Sequence, residues 1–228
     1  YKNVDSVIEQ GLTALSPKEF ETAAEGTGAL ILDTRDSAEF YRGFVPQSIN
    51  IGINGDFAPW VGALIGDVKQ PLLLVTEEGM EEEVIIRLSR VGFDNVVGYL
   101  KGGFDAWKRE EKEIDTVDRI SAEEFKKRLN VEKDTIYDIR KESEWSAEHV
   151  EEAYNRPLAS INKWMKDINP DEHFYVHCAG GYRSMIASSI LQARGYRNFT
   201  EIEGGFDAIA KAGVPKTDFV CQSKVMKD

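Results

Sequence analysis

Cysteine is nearly absent: the 228 residues hold two, Cys178 and Cys221. Two thiols make no disulfide framework, so an apolar core must hold the chain together, and reduced thiols suit a cytoplasmic setting. Histidine is also rare, with His149, His173 and His177 only. None is spaced from a carboxylate or thiol as metal ligands are, so no metal is expected, and no cofactor. No apolar run approaches the ~18 residues of a transmembrane helix. The N-terminus has no basic region followed by an apolar one, so no signal peptide is expected in this numbering. Tyr1 in place of an initiator Met is what a fragment of a longer protein would show. Positive charge is in deficit, with 28 Lys and Arg against 40 Asp and Glu and a net charge of −12. That balance argues against nucleic acid and anionic membrane as partners.

What is present is an ordinary globular composition, 42% hydrophobic and 30% charged, long enough for one or two domains. The most informative stretch is Phe174-Tyr-Val-His-Cys-Ala-Gly-Gly-Tyr-Arg-Ser184. Phe174 to Val176 predict a short buried strand. Met185 to Leu191 carry apolar residues at helical spacing, and Gly195 is placed to stop that helix. Cys178 falls where the strand ends. Gly180 and Gly181 let the backbone curl, so that amide N–H groups and a helix N-terminus point at one spot. Arg183 adds a full charge. Such a loop stabilises a thiolate, which is the nucleophilic form of cysteine. A lone cysteine is more often a small buried hydrophobe; here the convergence of two glycines, an arginine and a helix start favours the nucleophile.

At these residues the chain resembles the rhodanese family. Cys178-Ala-Gly-Gly-Tyr-Arg-Ser184 looks like its active-site loop, with the catalytic cysteine first and an arginine five positions later. Cysteine-based tyrosine phosphatases are similar in design but carry five residues between Cys and Arg, against four here. In the family, the shorter loop goes with sulfur transfer and the longer one with phosphate or arsenate chemistry.

The chain then proves to repeat itself. Leu15-Ser-Pro-Lys-Glu-Phe20 returns as Ile120-Ser-Ala-Glu-Glu-Phe125, both with the spacing of a helix capping box. Asp33-Thr-Arg35 returns as Asp138-Ile-Arg140, Glu39-Phe40 as Glu144-Trp145, and Gly102-Gly-Phe-Asp-Ala106 as Gly204-Gly-Phe-Asp-Ala208. The offset is 105 for the first three pairs and 102 for the last, which means duplicated domains and not short repeats. Strands alternate with helices in each copy: apolar runs at 29–32, 72–75 and 96–100, a helix over 81–90, and a last helix opened by Gly102-Gly103. The fold expected is α/β, two rhodanese-like domains, each a mainly parallel sheet with helices on both faces. The boundary falls at 115/116, within the charged stretch 114–119. Residues 1–14 form a lead-in, and 54–67 an aromatic and glycine-containing segment of no assigned structure.

The two copies differ in chemistry. Aligned by loop and helix, Val75-Thr-Glu-Glu-Gly-Met80 takes the place of Val176-His-Cys-Ala-Gly-Gly181, with Glu77 opposite Cys178 and a loop about two residues short. No thiol occurs in 1–115, and Glu77, Glu78, Glu81, Glu82 and Glu83 crowd the place that should attract an anion. Residues 1–115 hold 11 basic and 21 acidic side chains, net −10, whereas 116–228 hold 17 and 19, net −2. The first copy is therefore expected to be inactive, its glutamates either serving docking or scaffolding or being no more than a solvated helix start, which acidic residues also stabilise, and the second active. Asp33, Arg35, Asp138 and Arg140 occur in both copies and are expected to hold the fold. His149, His173 and His177 are expected to be structural. Tyr182 and Trp145 are either pocket walls or core aromatics, and Cys221 is expected to be incidental.

The rhodanese resemblance implies a sulfurtransferase. Cys178 takes a sulfane sulfur from thiosulfate or a low-molecular-weight persulfide and passes it to a thiol, sulfite or cyanide. The partners implied are small sulfur-containing anions and thiols. Ala179, Gly180, Gly181, Tyr182, Arg183 and Ser184 would bind the donor. The rivals are a non-catalytic sulfur-relay or interaction module and a cysteine-based phosphatase or arsenate reductase. A looser resemblance concerns Pro46 to Ile65, which is similar to the middle segment of fusion proteins. In those, a metallo-β-lactamase-fold domain, often a persulfide dioxygenase, precedes one inactive and one active rhodanese domain. It implies that such a domain precedes this chain.

Overall fold

A computed structural model of the chain describes residues 4–131 and 133–221. They divide into two compact units, the first ending at Thr116 and the second beginning at Val117. In the first, helices and strands follow in the order α1 (Val4–Gly11), β1 (Ala14–Leu15), α2 (Pro17–Thr27), β2 (Leu30–Asp33), α3 (Ser37–Phe40), β3 (Ile49–Asn50), α4 (Phe57–Leu64), β4 (Leu72–Val75), α5 (Glu81–Arg90), β5 (Val96–Leu100) and α6 (Gly103–Arg109). The second runs β6 (Arg119–Ile120), α7 (Ala122–Leu129), β7 (Thr135–Asp138), α8 (Glu142–Ala147), β8 (Tyr154–Asn155), α9 (Ile161–Trp164), β9 (Phe174–His177), α10 (Tyr182–Ala193), β10 (Phe199–Ile202) and α11 (Gly205–Lys211). Each unit is a five-stranded sheet, ordered β1-β5-β4-β2-β3 and β6-β10-β9-β7-β8. All pairs are parallel, as strands joined by helical crossovers must be.

The central strands are buried throughout, Leu72–Val75 and Phe174–His177 alike, which explains their unbroken apolar runs. In the second unit, Tyr175 and Ile136 join Phe125 of α7 and Ile209 of α11 in one apolar cluster. Alternation along β9 turns Phe174 and Val176 to the other face. Helix α10 packs on β9 and β10 and is buried without a break from Ser184 to Gln192. The face of a helix lost to solvent is normally about half; one buried on all sides belongs to the core.

Local chemistry explains the starts of the helices. Ser16 and Glu19 form the capping box that their spacing predicts: Ser16 Oγ accepts from Glu19 N–H at 3.3 Å and Glu19 accepts from Ser16 N–H at 2.8 Å. At the repeat, Ser121 Oγ accepts from Glu124 N–H at 3.2 Å, but the Glu124 carboxylate turns to Arg128, 3.1 Å away. The box is half-made there. The lead-in holds α1 and β1, and 54–67 holds α4, a helix that its own Pro59 and Gly62 concealed.

The duplicated Asp-x-Arg is a buried brace at the end of β2 and again of β7. Arg35 Nη2 donates to Asp33 at 2.7 Å and to the Gly43 carbonyl at 2.9 Å; Arg140 Nη2 donates to Asp138 at 2.6 Å and to the Glu148 carbonyl at 2.8 Å. The guanidinium lies over Phe104 in one unit and Phe206 in the other, at 4.5 and 4.1 Å. Asn50 and Asn155 complete each brace, donating to the carbonyls of Asp33 and Arg35, and of Asp138 and Arg140. Charges this deep are tolerated because every one is paired and hydrogen-bonded.

Candidate functional site

Strand β9 ends at His177, and α10 begins at Tyr182 after a loop of four residues. Cys178 opens that loop, only 1% exposed. Gly181 closes it with φ of 111°, a left-handed backbone that favours glycine. The curl brings Gly181 N–H to 3.0 Å from Cys178 Sγ, at the N-terminal end of a twelve-residue helix. Both the donor and the helix dipole favour negative charge on the sulfur. Ser184 Oγ lies 3.4 Å from the same sulfur. Gly180 is exposed, Ala179, Tyr182 and Arg183 are half-buried, and Ser184 is buried.

The start of α11 seats this loop. Phe206 N–H donates to the Cys178 carbonyl at 2.7 Å and Asp207 N–H to the Ala179 carbonyl at 3.1 Å. Gly205 makes the approach possible: with φ of 57°, a Cβ there would stand 2.5 Å from both carbonyl oxygens. In the second unit the Gly204-Gly-Phe-Asp-Ala208 segment is therefore a seat for the loop.

Arg183 is committed to a partner. Its two terminal nitrogens donate to both oxygens of Glu144 at 2.6 and 2.9 Å. Glu144 Oε2 also accepts from Lys141 N–H at 3.1 Å at the start of α8. The Arg183 hydrogen bonds hold the Glu144 carboxyl below the usual carboxylate range, and Glu144 in turn keeps the guanidinium charged.

His177 is fully buried, its Nδ1 donating to the Cys178 carbonyl at 3.0 Å and its Nε2 lying 3.9 Å from Asp138. Burial pushes its pKa down, so the ring is neutral and supports the backbone. His149 stacks on Trp145 with ring centres 3.8 Å apart, and Trp145 Nε1 donates to the Ala153 carbonyl at 3.0 Å. Both line a surface cleft with Tyr154 and Asn155; the cysteine loop is not among its walls. His173 pairs with Asp134 at 2.6 Å. Cys178 is buried and Cys221 exposed. No group of three or more His, Cys, Asp or Glu among the described residues is arranged to hold a metal ion, and no described helix is long and apolar enough to cross a membrane.

The first unit corrects the alignment read from sequence. Asp33 pairs with Val75 as Asp138 pairs with His177, so Thr76, and not Glu77, stands at the position of Cys178. Its loop, 76–80, is one residue longer than 178–181, not two shorter. Matching the apolar positions of α5 and α10 misled the alignment, because the two helices start at different distances from their strands. The second residue of α5 is Glu82, where α10 has Arg183.

One buried residue escaped the sequence reading. Glu201, in the middle of β10, is 0% exposed. Its Oε1 accepts from Ser184 Oγ at 2.6 Å and its Oε2 from Arg119 Nε at 2.7 Å. Burial raises its pKa, against the lowering effect of Arg119. The available signal was a glutamate inside an otherwise buried four-residue strand.

Comparison with known proteins identifies the family of the two units. The model of the rhodanese-like domain matches residues 16–110 and again 121–212. A sulfurtransferase of Allochromatium vinosum is 30% identical over 100 residues, 43% of this chain and 94% of that protein. The putative sulfur carrier protein YrkF of Bacillus subtilis is 24% identical over 106 residues, 46% of this chain. The chain spans about half of that relative, 55% of its length. Among solved structures, a thiosulfate sulfurtransferase of Pseudomonas aeruginosa aligns over 92% of this chain and 44% of its own, at 17% identity and TM-score 0.41. The matches to the family model cover most of both units, and the chain belongs to the rhodanese-like family, with two such domains in tandem.

Proposed function

We propose that this protein is a sulfurtransferase with one active site, in the second unit, and that Cys178 is its nucleophile. The observation that carries the reading is the contact of Cys178 Sγ with Gly181 N–H, 3.0 Å away at the mouth of α10. The sulfurtransferases among its relatives support it. The Cys178 thiolate attacks the outer sulfur of thiosulfate or of a small persulfide. An S–S bond forms as the donor's S–S bond breaks, and sulfite or a thiolate leaves with the electron pair. The loop holds the resulting persulfide anion, and an acceptor thiol, sulfite or cyanide attacks its outer sulfur, releasing the Cys178 thiolate. The Gly181 amide and the α10 dipole are fixed before reaction and need no reorganisation. Ala179, Gly180, Tyr182 and Ser184 frame the entering donor, while Arg183 contributes charge from its brace on Glu144.

The first unit, with Thr76 at the nucleophile position, serves docking or scaffolding. A nucleophilic free thiol works in a reducing compartment, which supports a cytoplasmic setting. The likeness of Pro46–Ile65 to fusion proteins supports a metallo-β-lactamase-fold domain as neighbour. Incubation with thiosulfate followed by intact-mass measurement tests the central claim. The parent chain and Cys221→Ser should each gain one sulfur, and Cys178→Ser none. A sulfur gained by Cys178→Ser would end the proposal.

A further inference from the structure

Sulfur transfer as written leaves Glu201 without a role, yet it is the carboxylate wired most directly to the nucleophile. Cys178 Sγ, Ser184 Oγ and Glu201 Oε1 form a continuous file with steps of 3.4 and 2.6 Å, none of the three residues more than 1% exposed. Arg119 Nε closes the far end at 2.7 Å from Oε2.

The first unit shows that the fold does not need this file. Register places Tyr99 on Ala14 where Glu201 lies on Arg119. Thr76 stands for Cys178, and the third residue of α5 is Glu83 where α10 has Ser184. All four members are missing together from the unit that lacks the thiol. A buried carboxylate–guanidinium pair adds little net stability over apolar residues of the same volume. Its presence beside the thiol alone therefore points to chemistry.

We propose that Glu201 receives the proton of Cys178 through the Ser184 hydroxyl, and so acts as a positioning residue for the thiolate. This rests on the reading of Cys178 as the nucleophile. As the Sγ–H bond breaks, an Oγ–H bond forms on Ser184. The proton Ser184 already carried passes to Glu201 Oε1. Glu201 ends neutral and still accepts from Arg119 through Oε2. The negative charge now sits on Sγ, where the Gly181 amide meets it, and the total charge is unchanged. A carboxylate whose pKa burial already raises is suited to take the proton.

Other charged groups surround the file. Arg119 and Glu203 flank the carboxylate, while the Asp118 carboxylate turns to Thr200 Oγ1; His177, with Asp138 and Arg140 around it, and the Arg183–Glu144 pair lie on the side of the thiol. The test must therefore change the file alone. In a full chain carrying Cys221→Ser, iodoacetamide alkylation of Cys178 is followed from about pH 5 to 10. Glu201→Gln keeps the volume and an acceptor for Arg119 but is a poor proton acceptor. Its alkylation rate near pH 6.5 should fall by about tenfold or more, and its profile should move to higher pH. Should that variant not fold, the double variant Arg119→Met with Glu201→Leu replaces the pair by apolar groups and should show the same shift. A profile that superimposes on the parent's in the folded variant overturns the relay. Alkylation reads the thiol itself, so the two proposals fail separately. Parent chain that shifts on Glu201→Gln yet gains no sulfur from thiosulfate refutes the donor, not the relay. Normal sulfur uptake with an unshifted profile refutes the relay alone.

Discussion

Arg183 and Glu144 show how one pair serves the site without touching sulfur. A bidentate carboxylate–guanidinium contact fixes two side chains in one plane, and here it ties the first turn of α10 to the first turn of α8. Arg183→Lys keeps the charge but loses the fork. The Glu144 carboxyl is held below its ordinary range, so the folded state binds its proton less tightly than the unfolded chain does. The stability from this pair is therefore complete above about pH 4.5 and lost as pH falls through the lowered folded value. Glu144→Gln should melt below the parent at pH 7, and the gap should narrow and close as the pH falls below about 4. Thermal melts of both proteins across that range check it; a gap that persists unchanged at low pH would show that the charge of Glu144 is not what braces the loop. The pair was legible in outline, since Glu144 and Arg183 were both singled out in the sequence. Glu201 was not, because period-two alternation assigns a strand carboxylate to solvent, and only a sheet covered on both faces hides it.

At the scale of elements, the seat under the loop carries the sharper prediction. The Cβ of an alanine at 205 would lie 2.5 Å from two carbonyl oxygens, whereas at 103 the nearest atom, the Thr76 carbonyl oxygen, would be 3.2 Å away. Both positions have positive φ, so both variants carry backbone strain of about 1–3 kcal/mol. Gly205→Ala must also push the loop off its seat and should nearly abolish sulfur uptake at Cys178. Gly103→Ala should cost stability and leave uptake near the parent's. Melting curves with mass measurement after thiosulfate separate the two effects, and an active Gly205→Ala would show that the loop holds its shape unaided. Elements with a strong local signature were readable: the Ser16 box, the apolar runs of β4 and β9, the Gly-Gly repeat. Strand β1 was not, since two residues carry no period, and α4 was masked by its own proline and glycine. The loop alignment failed for a related reason, as helix periodicity fixes a face but not the distance from the preceding strand.

Across the whole molecule, two copies of one fold have diverged in charge, net −10 against −2. The first copy carries Thr76 at the position of Cys178, with glutamates at 77 and 78 in its loop and at 81, 82 and 83 in the first turn of α5. A thiol placed there should be held protonated by like charge nearby. Thr76→Cys in a Cys178→Ser background should therefore gain no sulfur from thiosulfate, while Thr76→Cys with Glu77, Glu78 and Glu82 changed to Gln should gain more than the single change does. Intact-mass measurement decides it, and full loading of the single variant would mean that the carboxylates are not the obstacle. The duplication itself was legible because the braces at Asp33–Arg35 and Asp138–Arg140 need the same residues at the same spacing in both sheets.

The two amides of α11 that hold the Cys178 and Ala179 carbonyls have a consequence of their own. They grip the loop by its main chain, through atoms every residue possesses. What the side chains do is then left free to change: the chain carries a thiol after β9 and the hydroxyl of Thr76 after β4, with the same strand order in both sheets and the same register between β2 and β4 as between β7 and β9. The fold treats the residue that opens this loop as an interchangeable part, and exchanging it in one half need not cost that half its shape.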